Sequence, residues 1–276
     1  MNGKKTTQLC DLHTHSTASD GQYTPTELAA LVKARGAEVW ALTDHDTAEG
    51  VREAVEAGEG LGLRVIPGIE LSAGEYDTFH ILGYGYDADD PGLAAFCARM
   101  KAMRDERSPR IIAYLRENGM PLTLGEVEAL AGGSVVGRPH FARAMVARGY
   151  AASNREAFDR WLDTREFHER VERVKPSARE CVETVKGAGG RASLAHPYQI
   201  GVDDAALEAI VRGLKDCGLD AIECYYPKHT PAQQAFYRRL AEKYGLRVTG
   251  GSDFHGERVK PDVALAAWEL DVDWLL

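Results

Sequence analysis

The chain has 276 residues, of which 44% are hydrophobic and 27% charged, and its formal net charge is −9. This composition predicts a globular protein of one large domain, or of one domain with an insertion. The acidic balance argues against a protein that grips long nucleic acid, but a small anionic substrate or a short nucleic-acid end remains compatible. The sequence has no run of 18 apolar residues and no apolar N-terminal segment, so we expect neither a transmembrane helix nor a signal peptide. Its five cysteines are widely spaced and form no CxxC pair, which favours reduced thiols in a cytoplasmic protein over a disulfide framework.

Strands and helices alternate over the first ninety residues. Apolar runs predict strands at 8–13, 39–43, 64–67 and 78–86. The sequence Thr24-Pro25-Thr26-Glu27 is a capping box with proline at the first helical position, which predicts a helix over about 25–35. A second helix is predicted over about 49–61. This alternation is typical of an α/β protein with a largely parallel sheet.

The alternation stops at residue 91 and resumes near residue 176. The stretch between reads as helical, with a break at Pro109, a loop at 132–137 and a helix at 139–148. We interpret 91–175 as an inserted helical subdomain, and 8–90 with 176–276 as the main unit. In the second half, strands are predicted at 192–195, 221–224, 246–249 and near 263–270. Helices at about 176–186, 203–216 and 231–244 precede or separate them.

Histidines and carboxylates recur in or just after these strands. The candidate metal ligands are His13, His15, Asp20, His45, Glu70, His80, His196, Asp253 and His255. A barrel brings the ends of its strands to one face, where enzymes of that build place their chemistry. Histidine with carboxylate suits Zn, Mn or Fe better than Mg or Ca. The sequence therefore predicts a multinuclear metal site, and such sites usually hydrolyse their substrates.

Several of these residues also have ordinary structural explanations when taken singly. His13 and His15 lie on one face of an extended strand, which favours a shared ion over two surface histidines. The acids that flank His45 could simply begin a helix. Glu70, expected just after the third strand, could be an exposed acid, and His80 a hydrogen-bonded core residue. The recurrence of one chemistry after consecutive strands favours the metal site.

Six motifs together resemble the PHP (polymerase and histidinol phosphatase) family. They are DLHTHSTASDG at 11–21, TDHD at 43–46, PGIELS at 67–72, FHILGYG at 79–85, AHP at 195–197 and GSDFHG at 251–256. The resemblance implies a distorted (β/α)7 barrel that holds two or three divalent ions, of Mn, Fe or Zn. It assigns one ion to His13, His15, Glu70 and Asp253, with Glu70 bridging to a second. His80 and His196 are the other ligands of the second ion, and Asp20, His45 and His255 bind a third.

The inserted segment resembles that of the small stand-alone phosphoesterases of this family. Its GRPHFAR stretch at 137–143, with IECYYPKHT at 222–230, implies that Arg138, His140 and His229 bind a substrate phosphate. Catalytic roles then fall to Glu70, His255, Arg138 and His140. The stretch at 164–170 departs from the Gly-Lys-Pro-aromatic pattern of these relatives, which leaves base or leaving-group specificity open.

The resulting functional hypothesis is a metal-dependent phosphoesterase that uses metal-activated water. The expected substrates are 3′,5′-nucleotide bisphosphates or short 5′-phosphorylated oligoribonucleotides. Two alternatives remain at this point: a phosphatase of the histidinol-phosphate type, and a non-catalytic metal-binding structural module.

Overall fold

The fold is given by a computed structural model, which describes residues 7–76, 78–131, 136–171 and 175–275. Eight strands lie in one sheet. They are β1 (Gln8–Asp11), β2 (Val39–Leu42), β3 (Arg64–Ser72), β4 (His80–Tyr84), β5 (Arg191–Leu194), β6 (Ala221–Tyr225), β7 (Arg247–Gly250) and β8 (Trp268–Leu270). Their spatial order is β7-β6-β5-β4-β3-β2-β1-β8. Apart from the short β8 beyond β1, neighbouring strands are consecutive in sequence.

Most neighbouring strands are parallel, as the alternating pattern predicted. Two strands run the other way: β4 is antiparallel to β3 and β5, and β8 is antiparallel to β1. Because β4 is reversed, its first residue, His80, pairs with Ser72 at the end of β3. The histidine therefore lies at the same end of the sheet as the carboxyl ends of the parallel strands.

The sheet curls until β1 meets β7, which confirms the predicted α/β barrel. Beyond the named strands, three backbone hydrogen bonds cross this seam. Leu12 N donates to Gly250 O (3.1 Å), Asp253 N donates to His13 O (2.7 Å), and His15 N donates to Phe254 O (2.9 Å). The seam thus joins the first and last ligand motifs of the chain directly.

Helices surround the sheet and fill the stretch between β4 and β5. Those beside β1–β3 are α1 (Pro25–Ala34) and α2 (Val51–Leu61). The inserted stretch contains α3 (Pro91–Glu117), α4 (Leu124–Ala131), α5 (Arg138–Ala147), α6 (Asn154–Ala157) and α7 (Arg165–Val171), with a π-helical turn at Phe158–Leu162. The second half contains α8 (Ala178–Gly187), α9 (Asp204–Asp216) and α10 (Pro231–Lys243). The predicted capping box is present at Thr24.

The core is divided among several clusters of buried side chains. Strand residues such as Cys10, Ile66 and Leu82 form one cluster within the barrel. Residues from Ile111 to Val171 form a separate cluster among the inserted helices. The first turns of α3, including Met100, pack instead with the strands and α8. The two-part division at residue 91 therefore stays a prediction.

The structure corrects two predicted boundaries. Helix α3 continues through Pro109, where a break was expected. The helix buries residues on both sides of the proline, and this packing outweighs the one lost hydrogen bond. Strand β3 extends to Ser72 because it pairs with β4, so Glu70 lies inside a strand rather than after it. Residues 132–135 of the predicted loop lie outside the described residues.

Two further expectations concern membranes and cysteines. No helix within the described residues has both the length and the apolar character needed to cross a bilayer. All five cysteines lie within those residues and are free thiols, as expected.

The close packing of the seam between β1 and β7 requires a glycine at position 251. A Cβ at Gly251 would lie 2.2 Å from His13 Cβ and 2.5 Å from the His13 backbone nitrogen. We expect Gly251→Ala to lower the free energy of unfolding by about 1–3 kcal/mol, because the seam must open to admit the methyl group. Urea unfolding measures the change.

Gly213→Ala is the matched control, since nothing lies within 4 Å of a Cβ built at Gly213 in helix α9. It should be neutral or stabilise by about 0.5–1 kcal/mol, because alanine favours a helix over glycine. Equal stability of Gly251→Ala and the wild-type protein would contradict a tight seam.

Candidate metal centre

All nine predicted ligands meet at the carboxyl end of the barrel. They form four overlapping groups, and within each group the ligand atoms lie within 4.8 Å of one another. The groups are His15 with Asp20, His45 and His255; His13 with Glu70 and His196; His13 with His15 and Asp253; and His45 with Glu70 and His80. We call these nine residues the metal cluster. Their role as ligands remains a prediction that this proximity supports.

Glu70 lies at the centre of the cluster and is fully buried. Its Oε1 lies 2.8 Å from His80 Nδ1 and 2.9 Å from His196 Nε2. Its Oε2 lies 2.9 Å from His45 Nδ1 and 3.2 Å from His15 Nε2. The two oxygens of one carboxylate therefore face different sets of imidazoles, as a bridging ligand requires.

The cluster contains buried polar atoms that no hydrogen bond satisfies. They are His13 Nε2, both ring nitrogens of His15, His45 Nδ1, Glu70 Oε2 and His196 Nδ1. A buried polar atom without a partner is costly, and several that converge are costlier still. Cations between these atoms would satisfy them, and imidazole with carboxylate suits Zn, Mn or Fe. The residues present thus fit the implied ions.

Two buried acids, Glu223 and Asp11, position residues of the metal cluster. Neither was predicted from the sequence as a site residue. Glu223 Oε1 lies 3.0 Å from His13 Nδ1, and Glu223 Oε2 accepts from the His196 backbone N–H at 2.6 Å. Asp11 accepts hydrogen bonds from Ser252 N (2.8 Å) and Ser252 Oγ (2.6 Å), which ties the last ligand loop to β1. The contact between Glu223 and His13 Nδ1 is of the kind that fixes the ring orientation of a metal-binding histidine. The position of Asp11, two residues before His13, was an available signal.

The acids beside His45 anchor loops and do not begin a helix. Asp44 accepts from Ser16 N (2.8 Å), Ser16 Oγ (2.7 Å) and Ser19 Oγ (2.6 Å). Asp46 accepts from Ser72 N (2.8 Å) and Ser72 Oγ (2.9 Å). The proposed alternative, a helix N-terminus, is wrong because α2 begins only after Gly50.

Three residues here adopt left-handed backbone conformations that favour glycine. The φ angles are 53° at Asp46, 23° at His196 and 56° at Asp253. Conformations of this kind persist only where surrounding contacts enforce them, and they concentrate at functional sites. Each of the three follows a strand of the barrel and is buried.

The pKa values of the cluster shift in both directions. Burial opposes protonation of His13 and His15, but Glu223 and Glu70 raise the pKa of His13 well above its usual value, and hydrogen bonds to Asp253 and Glu70 raise that of His15 to about 9. The shifts of Glu70, His80 and His255 favour ligation. Burial opposes ionisation of Glu70, but the neighbouring imidazoles of His45 and His80 hold its pKa well below the usual range. Burial lowers the pKa of His80 to about 4. Burial and the neighbouring His15 lower the pKa of His255 to about 3. The carboxylate is therefore charged and these two imidazoles neutral at pH 7, as metal binding requires.

The cluster opens into a cleft with two lobes. The first is lined by Asp20, His45 and His80 on the cluster side. Its remaining wall carries the cations Arg104, Arg107, Arg138 and Lys175, so we call it the cationic lobe. The second, the amide lobe, runs from Glu70 and His196 to Asn154, Gln199, Phe158 and Lys260. Phe158 and Pro139 line both lobes.

Of the three predicted phosphate residues, Arg138 lines the cationic lobe. Its guanidinium contacts Asp163 Oδ1 at 3.1 Å and lies 5.7 Å from the Phe158 ring centre. Asp163 is thus a protein partner for a cation at the start of α5, where the helix dipole disfavours one. A role toward phosphate stays a prediction for Arg138.

His140 and His229 are both buried and line neither lobe, and their ring nitrogens make different hydrogen bonds. His140 Nδ1 accepts from Gly137 N–H at 3.0 Å, so its Nε2 carries the proton in the neutral ring. His229 Nδ1 donates to Cys224 O at 3.0 Å, which leaves a bare Nε2. The His229 ring packs 5.1 Å from Tyr226, behind His196.

Comparison with known proteins gives consistent matches. The family model described as "PHP domain" matches residues 11–166. A 5′-3′ exoribonuclease of Haemophilus influenzae is 35% identical over 252 residues, which is 90% of each chain. A phosphoribosyl 1,2-cyclic phosphate 1,2-diphosphodiesterase of Eggerthella lenta is 36% identical and covers 90% of this chain and 94% of its own.

A 3′,5′-nucleoside bisphosphate phosphatase of Chromobacterium violaceum is 33% identical, with 89% of this chain and 86% of that protein covered. Among solved structures, a Bifidobacterium adolescentis protein described as a metal-dependent phosphoesterase superposes with a TM-score of 0.83. It is 32% identical, and the match covers 96% of this chain and 93% of that one.

The position of Glu223 generates a prediction about metal affinity. We expect Glu223→Ala to weaken metal binding by about 10- to 100-fold, because His13 and His196 lose the group that orients them. Glu223→Gln, which keeps an acceptor for the His196 N–H, should lose less. Competition titration against a chromophoric chelator measures the affinity.

Glu208→Ala is the control, since the hydrogen bonds of Glu208 in the described part of the chain go only to the exposed Lys243 and the half-buried Tyr244, neither of which belongs to the cluster. Metal binding by Glu223→Ala at the wild-type affinity would show that Glu223 does not orient the ligands.

Proposed function

The chain belongs to the PHP domain family and is a metal-dependent phosphoesterase, and we propose that it hydrolyses phosphate esters of nucleotides. The proposed substrates are 3′,5′-bisphosphates or short 5′-phosphorylated oligoribonucleotides. One observation carries this proposal: four cationic side chains line the lobe that shares Asp20, His45 and His80 with the metal cluster. Arg104 is also ion-paired with Asp46 and Arg138 with Asp163, and together the four cations give the lobe a positive wall that suits more than one phosphate.

We propose that the cluster holds two or three divalent ions of Mn, Fe or Zn. His13, His15, Glu70 and Asp253 would bind one, and Glu70, His80 and His196 a second. Asp20, His45 and His255 would bind a third, and these three fall within one compact group together with His15. When bound, such ions polarise the phosphoryl group and lower the pKa of a coordinated water, which can then attack phosphorus.

The protein side chains would bind and orient the substrate. Arg138, with its planar guanidinium, can contact two phosphate oxygens at once. His140 would donate a hydrogen bond from Nε2 to a phosphate or leaving-group oxygen. His229 presents an unprotonated Nε2 when neutral, so its contact would be to a hydroxyl group or a protonated phosphate oxygen. His255 Nδ1 lies 2.9 Å from Asp253 O, which leaves Nε2 for a metal rather than for proton donation.

The amide lobe suits the rest of a nucleotide. Asn154 and Gln199 offer amide donors and acceptors, and Phe158 offers an aromatic face between the two lobes. A base could stack on such a face while its edge contacts the amides. We therefore propose that the phosphates occupy the cationic lobe and the cluster, and that the nucleoside extends into the amide lobe.

Two other substrates are candidates for the same site. The similarity to the Eggerthella lenta enzyme makes a cyclic phosphate diester a second candidate substrate. A phosphatase of the histidinol-phosphate type would need the same cluster but only one phosphate site. The cationic lobe favours the nucleotide substrates over it. The third alternative, a non-catalytic module, is set aside because the chain belongs among the phosphoesterases.

Substrate preference tests the proposal. Metal-loaded protein should hydrolyse adenosine 3′,5′-bisphosphate with a kcat/KM about tenfold or more above that for adenosine 5′-monophosphate. A second phosphate adds at least one charge-assisted contact that can orient the first. The panel also includes a 5′-phosphorylated trinucleotide, a ribose 1,2-cyclic phosphate and histidinol phosphate, with metal content measured on the same sample.

Glu70→Ala, which removes the central carboxylate, sets the background rate in this assay. Equal kcat/KM for the mono- and bisphosphate would remove the argument from the cationic lobe. The highest value for histidinol phosphate would contradict the nucleotide assignment altogether.

Arg138 provides the sharpest test within the cationic lobe. We expect Arg138→Ala to lower kcat/KM for the bisphosphate by about 10- to 150-fold with metal content unchanged, because one charge-assisted contact is lost. The control is Arg165→Ala, which removes an exposed arginine from the same group of inserted helices. Unchanged kinetics in Arg138→Ala would show that Arg138 does not bind substrate and that its ion pair with Asp163 is purely structural.

A further inference from the structure

A lysine outside every ligand motif lies against the metal cluster. Lys260 Nζ is 2.5 Å from Asp253 Oδ2, and the lysine side chain is only 27% exposed. It lines the amide lobe together with Glu70, His196 and His255. No sequence pattern pointed to this residue, and it lies beyond the residues that the family model matches.

The two oxygens of Asp253 face opposite environments. Oδ1 faces imidazoles, with His13 Nε2 at 3.7 Å and His15 Nε2 at 3.4 Å. Oδ2 contacts Lys260 Nζ and accepts a hydrogen bond from the Tyr226 hydroxyl at 3.1 Å. The Tyr226 hydroxyl in turn accepts from Gln199 Nε2 at 3.2 Å, so its single proton is committed to Asp253. Only Oδ1 is thus left for a metal ion.

The backbone holds Lys260 in this position. Lys260 N donates to Gly256 O at 2.9 Å, and Val263 N donates to Lys260 O at 3.1 Å. Gly256 adopts a φ of 99°, which allows the chain to turn back toward the cluster directly after His255. The ammonium is therefore a built part of the site and differs from a mobile surface lysine.

We infer that Lys260 is a positioning residue, which holds one oxygen of Asp253, restricts Asp253 to single-oxygen ligation and weakens binding of the ion that Asp253 holds. Two cations then share one carboxylate, and they repel each other across it. The ammonium also prevents Asp253 from chelating an ion through both oxygens. This inference rests on the proposed metal site but not on the identity of the substrate.

Metal affinity tests the inference without any measurement of activity. Lys260→Met removes the charge and keeps the length of the side chain. We expect one Zn²⁺ ion to bind at least about tenfold more tightly, because a like charge a few ångströms away has been removed. A structural role alone would predict weaker binding. Chelator competition gives the affinity, and the visible spectrum of Co²⁺-loaded protein should shift as Asp253 gains a second ligand oxygen.

Three variants complete the experiment. Lys260→Arg keeps the charge and should resemble the wild type. Lys260→Gln is neutral and should also tighten binding, which provides the answer if Lys260→Met does not fold. Lys186→Met is the matched control, because Lys186 forms a 2.8 Å ion pair with Asp220 at a similar exposure of 30%. It should leave metal affinity unchanged.

The outcomes separate this inference from the proposed function. Wild-type affinity and spectrum in a folded neutral variant would overturn the inference while the phosphoesterase assignment stands. Weaker binding in both neutral variants would also overturn it, since Lys260 would then support the site. Uptake of less than one Zn²⁺ by the wild-type protein would overturn both.

Discussion

The structure depends on one buried carboxylate. Glu70 has no solvent exposure, yet its two oxygens face five imidazoles from different parts of the barrel. An ionised group in such a place is tolerated only when polar groups or opposite charge surround it. The barrel supplies that environment by bringing strand ends together, and the antiparallel β4 adds His80 at the same end. The cleft with its two lobes then lies where this cluster meets solvent.

Much of this arrangement was predictable because it has a local signature. Strand–helix alternation indicated the barrel, and histidines or acids that recur at strand ends indicated which face carries the chemistry. The sequence motifs around His13, His45 and Asp253 could be recognised without a three-dimensional structure. The capping box at Thr24 is equally local, and the helix begins where the box predicts.

The features that could not be predicted all depend on partners distant in sequence. Glu223 lies in an ordinary apolar run, and only the fold places its carboxylate against His13, 210 positions away. Lys260 follows the last ligand motif without any periodicity of its own. Helix α3 passes through Pro109 because its two halves pack into two separate cores. A local rule for proline does not take such packing into account. The extension of β3 through Glu70 likewise arises from pairing with β4.

The seam between β1 and β7 also determines when this site can exist. Ser252 bonds to Asp11 across 241 positions of sequence, and Asp253 bonds to the backbone of His13. Contacts with such large sequence separation form late in folding, since long loops must close first. A chain emerging from the ribosome without its last ligand motif lacks Asp253 and His255 and cannot close the barrel. Enclosure of an ion by all nine residues must therefore wait until residues 251–256 have been synthesised and have folded back onto β1, long after the first histidines have emerged.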